Sequence, residues 1–156
     1  MTRLESTRVL VTGGTSGLGR AMAAALADAG ARVALTSREA TRAHQAAAQI
    51  GAVGLAMDVR DEQSVQTGVG AVYDELGGLD VLVANAGIGM RTVNPRFLTD
   101  PQSFWEVAPT GFRDVVETKV TGTFLVARAV APRMLAAGGG RIVVISMNEQ
   151  TMTRRG

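Results

Sequence analysis

Short apolar runs rich in Val, Leu and Ile alternate along the chain with longer stretches rich in Ala. Short β-branched runs are typical of buried strands, and the longer Ala-rich stretches are typical of helices. The predicted strands lie at 9–12, 32–36, 53–57, 81–84 and 142–146. The predicted helices lie at 17–29, 40–50, 61–76 and 111–137. This alternation indicates βαβ units, and hence a doubly wound α/β fold with a parallel sheet.

The composition agrees with such a fold. The 156 residues are 46% hydrophobic but only 4% aromatic, and they include 19 Gly. Small side chains suit thin helices packed closely on a parallel sheet better than they suit a large aromatic core. A chain of this length is typical of one domain, and no repeat or linker divides it. We therefore expect residues 1–156 to belong to a single domain.

The charge and the cysteine content exclude several classes of protein. The net charge is only +2, and the basic residues are spread along the chain, so nucleic acid is not an expected partner. With no Cys, the chain has neither thiolate catalysis nor a Cys-based metal site, and we expect no metal. It starts without an apolar leader and contains no apolar run of membrane-spanning length. We expect a cytoplasmic protein that does not interact with membranes.

A glycine-rich loop, TGGTSGLG at 12–19, joins the first predicted strand to the first helix. Gly13 allows a sharp turn, Gly17 lets a ligand approach the backbone, and Gly19 lets the helix lie close to the sheet. The free N–H groups of the helix N-terminus favour a phosphate there. This pattern predicts a dinucleotide-binding Rossmann domain, and the alternative is a purely structural turn. The residues predicted to bind the cofactor here are Gly13, Thr15, Ser16, Gly17, Leu18 and Gly19.

The end of the second strand bears on the choice between NAD and NADP. Sites for NAD usually carry an acidic residue here, about 20 residues beyond the loop, which binds the ribose 2′-hydroxyl. This chain has Thr36-Ser37-Arg38 instead. The Ser37 hydroxyl and the Arg38 guanidinium both suit a 2′-phosphate. NADP is the predicted cofactor and NAD the alternative, in which case Arg38 is a solvated residue at the start of a helix.

Three ordered motifs together resemble the short-chain dehydrogenase/reductase family. They are the Gly-x-x-x-Gly-x-Gly loop, Asp58-Val59 after the third strand and Asn85-Ala86-Gly87 after the fourth. The resemblance implies that Asp58 contacts the adenine, that the backbone at Val59 helps to hold it, and that Asn85 steadies the central strands beside the cofactor. From the residues alone, Asp58 also suits the N-cap region of the next helix, and Asn85 suits a turn with a locally bonded side chain.

The same resemblance identifies departures at the catalytic positions. The family uses a Tyr-x-x-x-Lys pair, a substrate-orienting Ser and an Asn on the long helix. The only tyrosine, Tyr73, is followed four residues later by Gly77, so it is not that pair. Met147 occupies the usual Ser position with Ser146 just before it, and Lys119 occupies the Asn position. Ser146 and Lys119 are therefore the candidate catalytic residues, although a lone Lys on a helix is often only solvated.

The resemblance implies an oxidoreductase that moves hydride between NADP(H) and an alcohol or ketone. It also implies that the catalytic Tyr and Lys, and the remaining strands of the sheet, would follow residue 156. The fifth strand would then be an exposed edge, and homo-oligomers are expected only of the full-length protein. The alternative is a truncated, non-catalytic module that binds a dinucleotide or a partner. The long segment 88–110 carries aromatic residues that either flank a substrate or pack the loop against the domain, namely Phe97, Phe104 and Trp105.

Overall fold

In the computed structural model, which describes residues 4–146, five strands form one parallel sheet. Their order across the sheet is β3-β2-β1-β4-β5. All five lie within two residues of the predicted positions, so the predicted α/β fold is confirmed. The strands are β1 (Arg8–Thr12), β2 (Arg32–Ser37), β3 (Val53–Ala56), β4 (Val81–Ala84) and β5 (Arg141–Val144).

Helices connect the strands and begin close to the predicted positions. They are α1 (Gly17–Asp28), α2 (Ala40–Ala48), α3 (Glu62–Leu76), α4 (Pro109–Val116) and α5 (Gly122–Ala136). The α3 helix has well-formed ends, because the Asp61 carboxylate accepts a hydrogen bond from Ser64 N at 2.6 Å and Gly77 ends the helix with φ +72°. None of the helices formed by residues 4–146 has both the length and the apolar character needed to cross a membrane.

The core lies in two layers, one on each face of the sheet. Side chains of a strand alternate between faces, and β1 shows this directly. Val9 and Val11 pack with the buried side chains of α1 and α2, whereas Leu10 packs with those of α3 and α5. Because β1 is apolar towards both faces, it occupies the centre of the sheet. Helix α1, which follows β1, packs on one face of the sheet, and α5, which leads from β4 to β5, packs on the other, and β1 and β4 are neighbours at the point where the strand order reverses.

The helix predicted at 111–137 is confirmed within two residues, because the backbone stays helical without a break from Pro109 to Ala136. Within it, a wider π-helical turn, Glu117–Thr121, links α4 to α5. The Thr118 hydroxyl donates to the carbonyl of Asp114 at 2.8 Å, which adds a side-chain bond to that carbonyl just where the regular pattern changes. Directly after the turn, a Cβ at Gly122 would lie 2.6 Å from Val59 Cγ2. The glycine therefore lets the start of α5 lie against the segment that follows β3.

An ion pair joins the amino ends of β1 and β4. The Arg8 guanidinium donates to both carboxylate oxygens of Asp80, at 2.7 and 2.9 Å, and Arg8 N donates to the same carboxylate at 2.8 Å. A further bond, from Arg8 Nη1 to the carbonyl of Gly77, reaches the end of α3 at 2.8 Å. The pair therefore links β1 to the turn before β4 at the amino ends of the strands, whereas the glycine-rich loop lies at their carboxyl ends.

β5 is the outer strand at one end of the described sheet, as predicted. Its side chains Ile142, Val143 and Val144 are exposed, although the strand is as apolar as its buried neighbours. The strand ends at Val144 and not at residue 146, so Ser146 lies beyond the regular pairing of β5 with β4.

The segment between β4 and α4 contains two short 3₁₀ turns, Met90–Thr92 and Phe104–Glu106. Phe104 is 82% exposed and Trp105 is 74% exposed, and the two rings meet edge to face with centroids 5.2 Å apart. These two aromatic side chains therefore do not pack the loop against the domain, which was one of the two interpretations. Their predicted position beside a substrate stays a prediction, as does that of the partly buried Phe97.

Candidate functional site

A cavity of about 540 Å³ opens at the carboxyl ends of the strands, where the strand order reverses. Ligands of doubly wound sheets bind at this point, because the loops leaving neighbouring strands there diverge to opposite faces. All the predicted cofactor residues except Gly17 line the cavity. They are Gly13, Thr15, Ser16, Leu18, Gly19, Ser37, Arg38, Asp58, Val59, Asn85, Ala86 and Gly87. The fold therefore brings residues from four separate loops into one concave surface.

Two glycines of the glycine-rich loop lie too close to neighbouring atoms to carry a side chain, and a third faces open space. Gly13 has φ +66°, and a Cβ there would lie 2.9 Å from Ala86 Cα. A Cβ at Gly19 would collide with Asn85 Nδ2 and with the Gly13 carbonyl, so this glycine lets α1 lie close to the end of β4. At Gly17, by contrast, a Cβ would meet nothing within 4 Å. The space above Gly17 is therefore open to a ligand.

The N-terminus of α1 has the properties of an anion site. Ser16 is the N-cap residue, but its hydroxyl makes no capping hydrogen bond, and the first turn of α1 contains no acidic residue. The N–H groups of that turn are therefore not neutralised by a nearby carboxylate. Thr15 and Ser16 both line the cavity and carry hydroxyl donors. This cradle and its donors fit the pyrophosphate of a dinucleotide.

Asn85 links the end of β4 to the glycine-rich loop. Its Nδ2 donates to the carbonyls of Thr12 and Gly13, each at 3.1 Å, while its own backbone N–H donates to Thr12 Oγ1 at 3.1 Å. The backbone N–H of Ala86 donates to the same Thr12 hydroxyl oxygen at 3.0 Å. The interpretation of Asn85 as a turn residue with a locally bonded side chain is therefore wrong. Its amide holds together the two strands that flank the reversal of strand order.

Asp58 lies after β3 and is paired with an arginine. Arg60 donates to the Asp58 carboxylate from Nε at 3.1 Å, from Nη2 at 2.9 Å and from its backbone N–H at 3.0 Å. The side-chain hydrogen bond from Arg60 is the main reason why the pKa of the Asp58 carboxyl lies below its usual value. The N-cap residue of α3 is Asp61, but Asp58 does lie in the N-cap region, because its backbone N–H donates to Ser64 Oγ in the first turn of α3 at 2.9 Å.

Arginines surround this end of the cavity. Arg38, Arg42 and Arg60 all line it, and Arg38 and Arg42 are exposed. Arg42 Nη1 lies 3.5 Å from a carboxylate oxygen of Glu39, an exposed contact of little strength. Neither Arg42 nor Arg60 was predicted from the sequence, although Arg42 is four residues after Arg38 and Arg60 is two after Asp58. The arrangement supplies several fixed positive charges near the end of β2.

The two candidate catalytic residues lie outside the lining of this cavity. Lys119 lies in the π-helical turn with its side chain against Gly87, where a Cβ would be 3.1 Å from Lys119 Nζ. Ser146 is exposed beyond β5, and Met147 lies outside the described residues. The neighbouring residues of α4 and the turn, Asp114 and Thr118, do reach the cavity and were not predicted.

Tyr73 is not near the cavity. Its ring packs against the core layer of α3 and α5, with Arg133 Cζ 4.8 Å from the ring centroid. Burial raises the pKa of the Tyr73 hydroxyl, and this hydroxyl has no hydrogen-bond partner among residues 4–146. Its position agrees with the expectation that Tyr73 is not the catalytic tyrosine.

Several known proteins are similar to this chain. Residues 7–155 match the family model described as short chain dehydrogenase. A D-threitol dehydrogenase of Mycolicibacterium smegmatis is 38% identical over 156 residues, covering 96% of this chain and 56% of the relative. A probable NADP-dependent dehydrogenase of Haemophilus influenzae is 31% identical over 145 residues, covering 92% of this chain and 54% of the relative.

A solved structure of a 7α-hydroxysteroid dehydrogenase complexed with NADH and 7-oxo glycochenodeoxycholic acid is also similar. It has a TM-score of 0.79 and 29% identity, covering 93% of this chain and 55% of that one. The chain thus spans about half the length of the proteins that it matches. The match extends over nearly all of its own residues, and the parallel sheet, the glycine-rich loop and the Asn85 contacts are consistent with it. The chain belongs to the short-chain dehydrogenase/reductase family, whose members are oxidoreductases that use NAD(P).

Proposed function

We propose that this chain binds NADP(H) and that the protein to which it belongs transfers hydride between NADP(H) and an alcohol or ketone. The observation that carries the proposal is one cavity with an anion-binding helix N-terminus and, at the end of β2, Ser37 and Arg38 in place of an acidic residue. A carboxylate at that point would repel a 2′-phosphate, whereas a guanidinium attracts it. NAD is the alternative cofactor.

Each part of the cavity suits one part of the cofactor. The residues after β1, with Thr15 and Ser16, would hold the pyrophosphate. Ser37 and Arg38 would hold the 2′-phosphate, and Asp58 would contact the adenine. The bound nicotinamide supplies a hydride donor or acceptor, and the protein contributes binding and orientation. The remaining predicted cofactor residues of the cavity, Gly13, Leu18, Gly19, Val59, Asn85, Ala86 and Gly87, would shape the surface on which the cofactor lies, and Gly17 would leave space for a ligand to approach the backbone.

The catalytic part of the proposal rests on fewer residues. Lys119 touches Gly87 at the rim of the cavity, so its ammonium group is close enough to the cofactor surface to meet a negatively charged or carbonyl oxygen. Ser146 follows β5 on the same side of the sheet as the other strand ends. We propose both as candidate catalytic residues. A small alcohol or ketone as substrate, assembly of the whole protein into homo-oligomers and a cytoplasmic location stay predictions.

A second function is favoured by one observation. Lys119, which stands where the family has an asparagine, replaces a neutral amide by a charged group. In a non-catalytic module that only binds the dinucleotide or a partner, that position would be free to vary. Sequence beyond residue 156 separates the two proposals, because a Tyr-x-x-x-Lys helix there supports the enzyme and a stop codon in the native gene supports the module.

The experiment that tests cofactor binding is a calorimetric titration of the chain with NADPH and with NADH. We expect NADPH to bind more tightly, and Arg38→Ala to weaken NADPH binding by about ten- to hundredfold, because it removes charge-assisted bonds to phosphate. NADH binding should change little. Arg141→Ala is the matched control, since Arg141 is exposed at the opposite edge of the sheet. Equal binding of both nucleotides by the unaltered chain would contradict the preference for NADP.

A further inference from the structure

The Asp58 carboxylate lies in the cavity that contains the proposed 2′-phosphate site. It lines the same cavity as Arg38, and its side chain is partly buried. The pKa of the Asp58 carboxyl is lowered mainly by the side-chain hydrogen bond from Arg60 and, to a smaller degree, by the charge of Arg38. The side-chain hydrogen bonds of Asp58 go to Arg60, whereas Arg38 lines the same cavity without a hydrogen bond to Asp58.

The bonds from Arg60 occupy most of the accepting capacity of this carboxylate. Asp58 Oδ1 receives two N–H groups of Arg60, and Oδ2 receives a third. A carboxylate accepts about four hydrogen bonds, so one position on Oδ2 stays available. That position suits the amino group of an adenine, which is the contact implied for Asp58. The Asp58 carboxylate therefore cannot accept two parallel hydrogen bonds from a second guanidinium.

Arg60 is itself held in a negatively charged surrounding. Its pKa is raised chiefly by the side-chain bond to Asp58, and the carboxylates of Asp114 and Glu117 contribute at longer range. These two acidic residues belong to α4 and the π-helical turn, and Asp114 also lines the cavity. The positive charge of Arg60 thus offsets the Asp58 carboxylate after β3 and the Asp114 and Glu117 carboxylates of α4 and the π-helical turn.

From these contacts we infer that Arg60 is a specificity-determining positioning residue, which engages Asp58 so that Arg38 stays free for the 2′-phosphate of NADP(H). Without Arg60, Asp58 would become an unpaired anion in the cavity. It would attract the Arg38 guanidinium and repel the phosphate, and both effects act against NADPH and not against NADH. The inference rests on the proposed preference for NADP, and it assigns that preference to a second arginine.

The test compares the NADPH-to-NADH affinity ratio of the full chain with that of Arg60→Ala, Asp58→Asn and the double variant. We expect Arg60→Ala to lower the ratio about three- to tenfold, because a partly exposed ion pair contributes little in water. Arg60→Gln, which also loses the charge, should give the same decrease. The double variant should have the same NADPH-to-NADH affinity ratio as Asp58→Asn, because Arg60 acts through the Asp58 carboxylate. Thermal unfolding of each variant verifies that it is folded.

The outcomes are distinguishable. If the unaltered chain has no preference for NADPH, or binds neither nucleotide, the proposed function fails and the inference fails with it. If the chain prefers NADPH but both Arg60 variants keep the same ratio, only the inference is overturned. A lowered ratio that Asp58→Asn does not restore would also overturn it, because Arg60 would then act on the phosphate directly.

Discussion

Removing the Asn85 amide should loosen the glycine-rich loop from the end of β4. The amide nitrogen donates to the carbonyls of Thr12 and Gly13, which belong to the last residue of β1 and the first of the loop. In Asn85→Ala both carbonyls lose this donor, and the partly buried site offers water little room to replace it. The backbone bonds from Asn85 N and Ala86 N to the Thr12 hydroxyl would stay.

The expected loss follows from those two bonds. Each net hydrogen bond is worth about 0.5–1.5 kcal/mol, so Asn85→Ala should lower the free energy of unfolding by about 1–3 kcal/mol. For a chain of this size, each kcal/mol lowers the melting temperature by roughly 2–4 °C. Asn85→Asp should cost more at neutral pH, because it places a charged acceptor beside two carbonyl acceptors.

The assay is thermal and urea unfolding of both variants, with NADPH titration alongside. Asn94→Ala is the matched control, because it also removes two side-chain hydrogen bonds, from Nδ2 to the Asp100 carbonyl at 2.8 Å and from Arg96 N to Oδ1 at 2.9 Å, but both are exposed and local to one loop. We expect the control to unfold like the unaltered chain and the Asn85 variants to unfold earlier and bind NADPH more weakly. Unfolding of Asn85→Ala at the same temperature as the control would refute the assignment of Asn85 as the link between the two strands.

Two further predictions concern the ends of the sheet. Asp80→Asn should lower the free energy of unfolding by about 1–2 kcal/mol at neutral pH, allowing for partial exposure, while exposed Asp74→Asn should have no effect. The side-chain hydrogen bond from Arg8 holds the pKa of the Asp80 carboxyl below its usual value of about 3.9. The difference in free energy of unfolding between the unaltered chain and Asp80→Asn should therefore be full above about pH 3.9 and should vanish as the pH falls below the lowered pKa. A difference that is independent of pH would contradict this. Gly19→Ala should cost about 1–3 kcal/mol and abolish NADPH binding, because its Cβ would collide with a backbone carbonyl of the loop. Gly70→Ala in α3, where a Cβ meets nothing within 4 Å, should instead stabilise by up to about 1 kcal/mol, and equal unfolding of the two glycine variants would refute the close packing of α1.

The local pattern was sufficient for the elements and their class. The alternation of apolar strands with Ala-rich helices predicted all five strands and the parallel sheet, because a strand covered on both faces must be apolar throughout. The helix predicted at 111–137 is present, but the wider turn Glu117–Thr121 within it was not predicted, because the helical pattern of residues continues through that segment. At this turn the Thr118 hydroxyl bonds to the Asp114 carbonyl, and Gly122 directly after it lies against Val59, a contact that only the packing of the domain creates.

The amino-acid sequence was enough to place a glycine-rich loop after β1, no acidic residue at the end of β2 and separate Asp and Asn motifs after β3 and β4. These are properties of single short segments, in which residue type and backbone preference act locally. The three-dimensional structure was needed to show which side chains meet across the sheet, such as the Asn85 amide and the carbonyls of the glycine-rich loop. Those contacts join strands that are neighbours in the sheet but distant along the chain, and β1 and β4 become neighbours only when helices pack on both faces of the sheet.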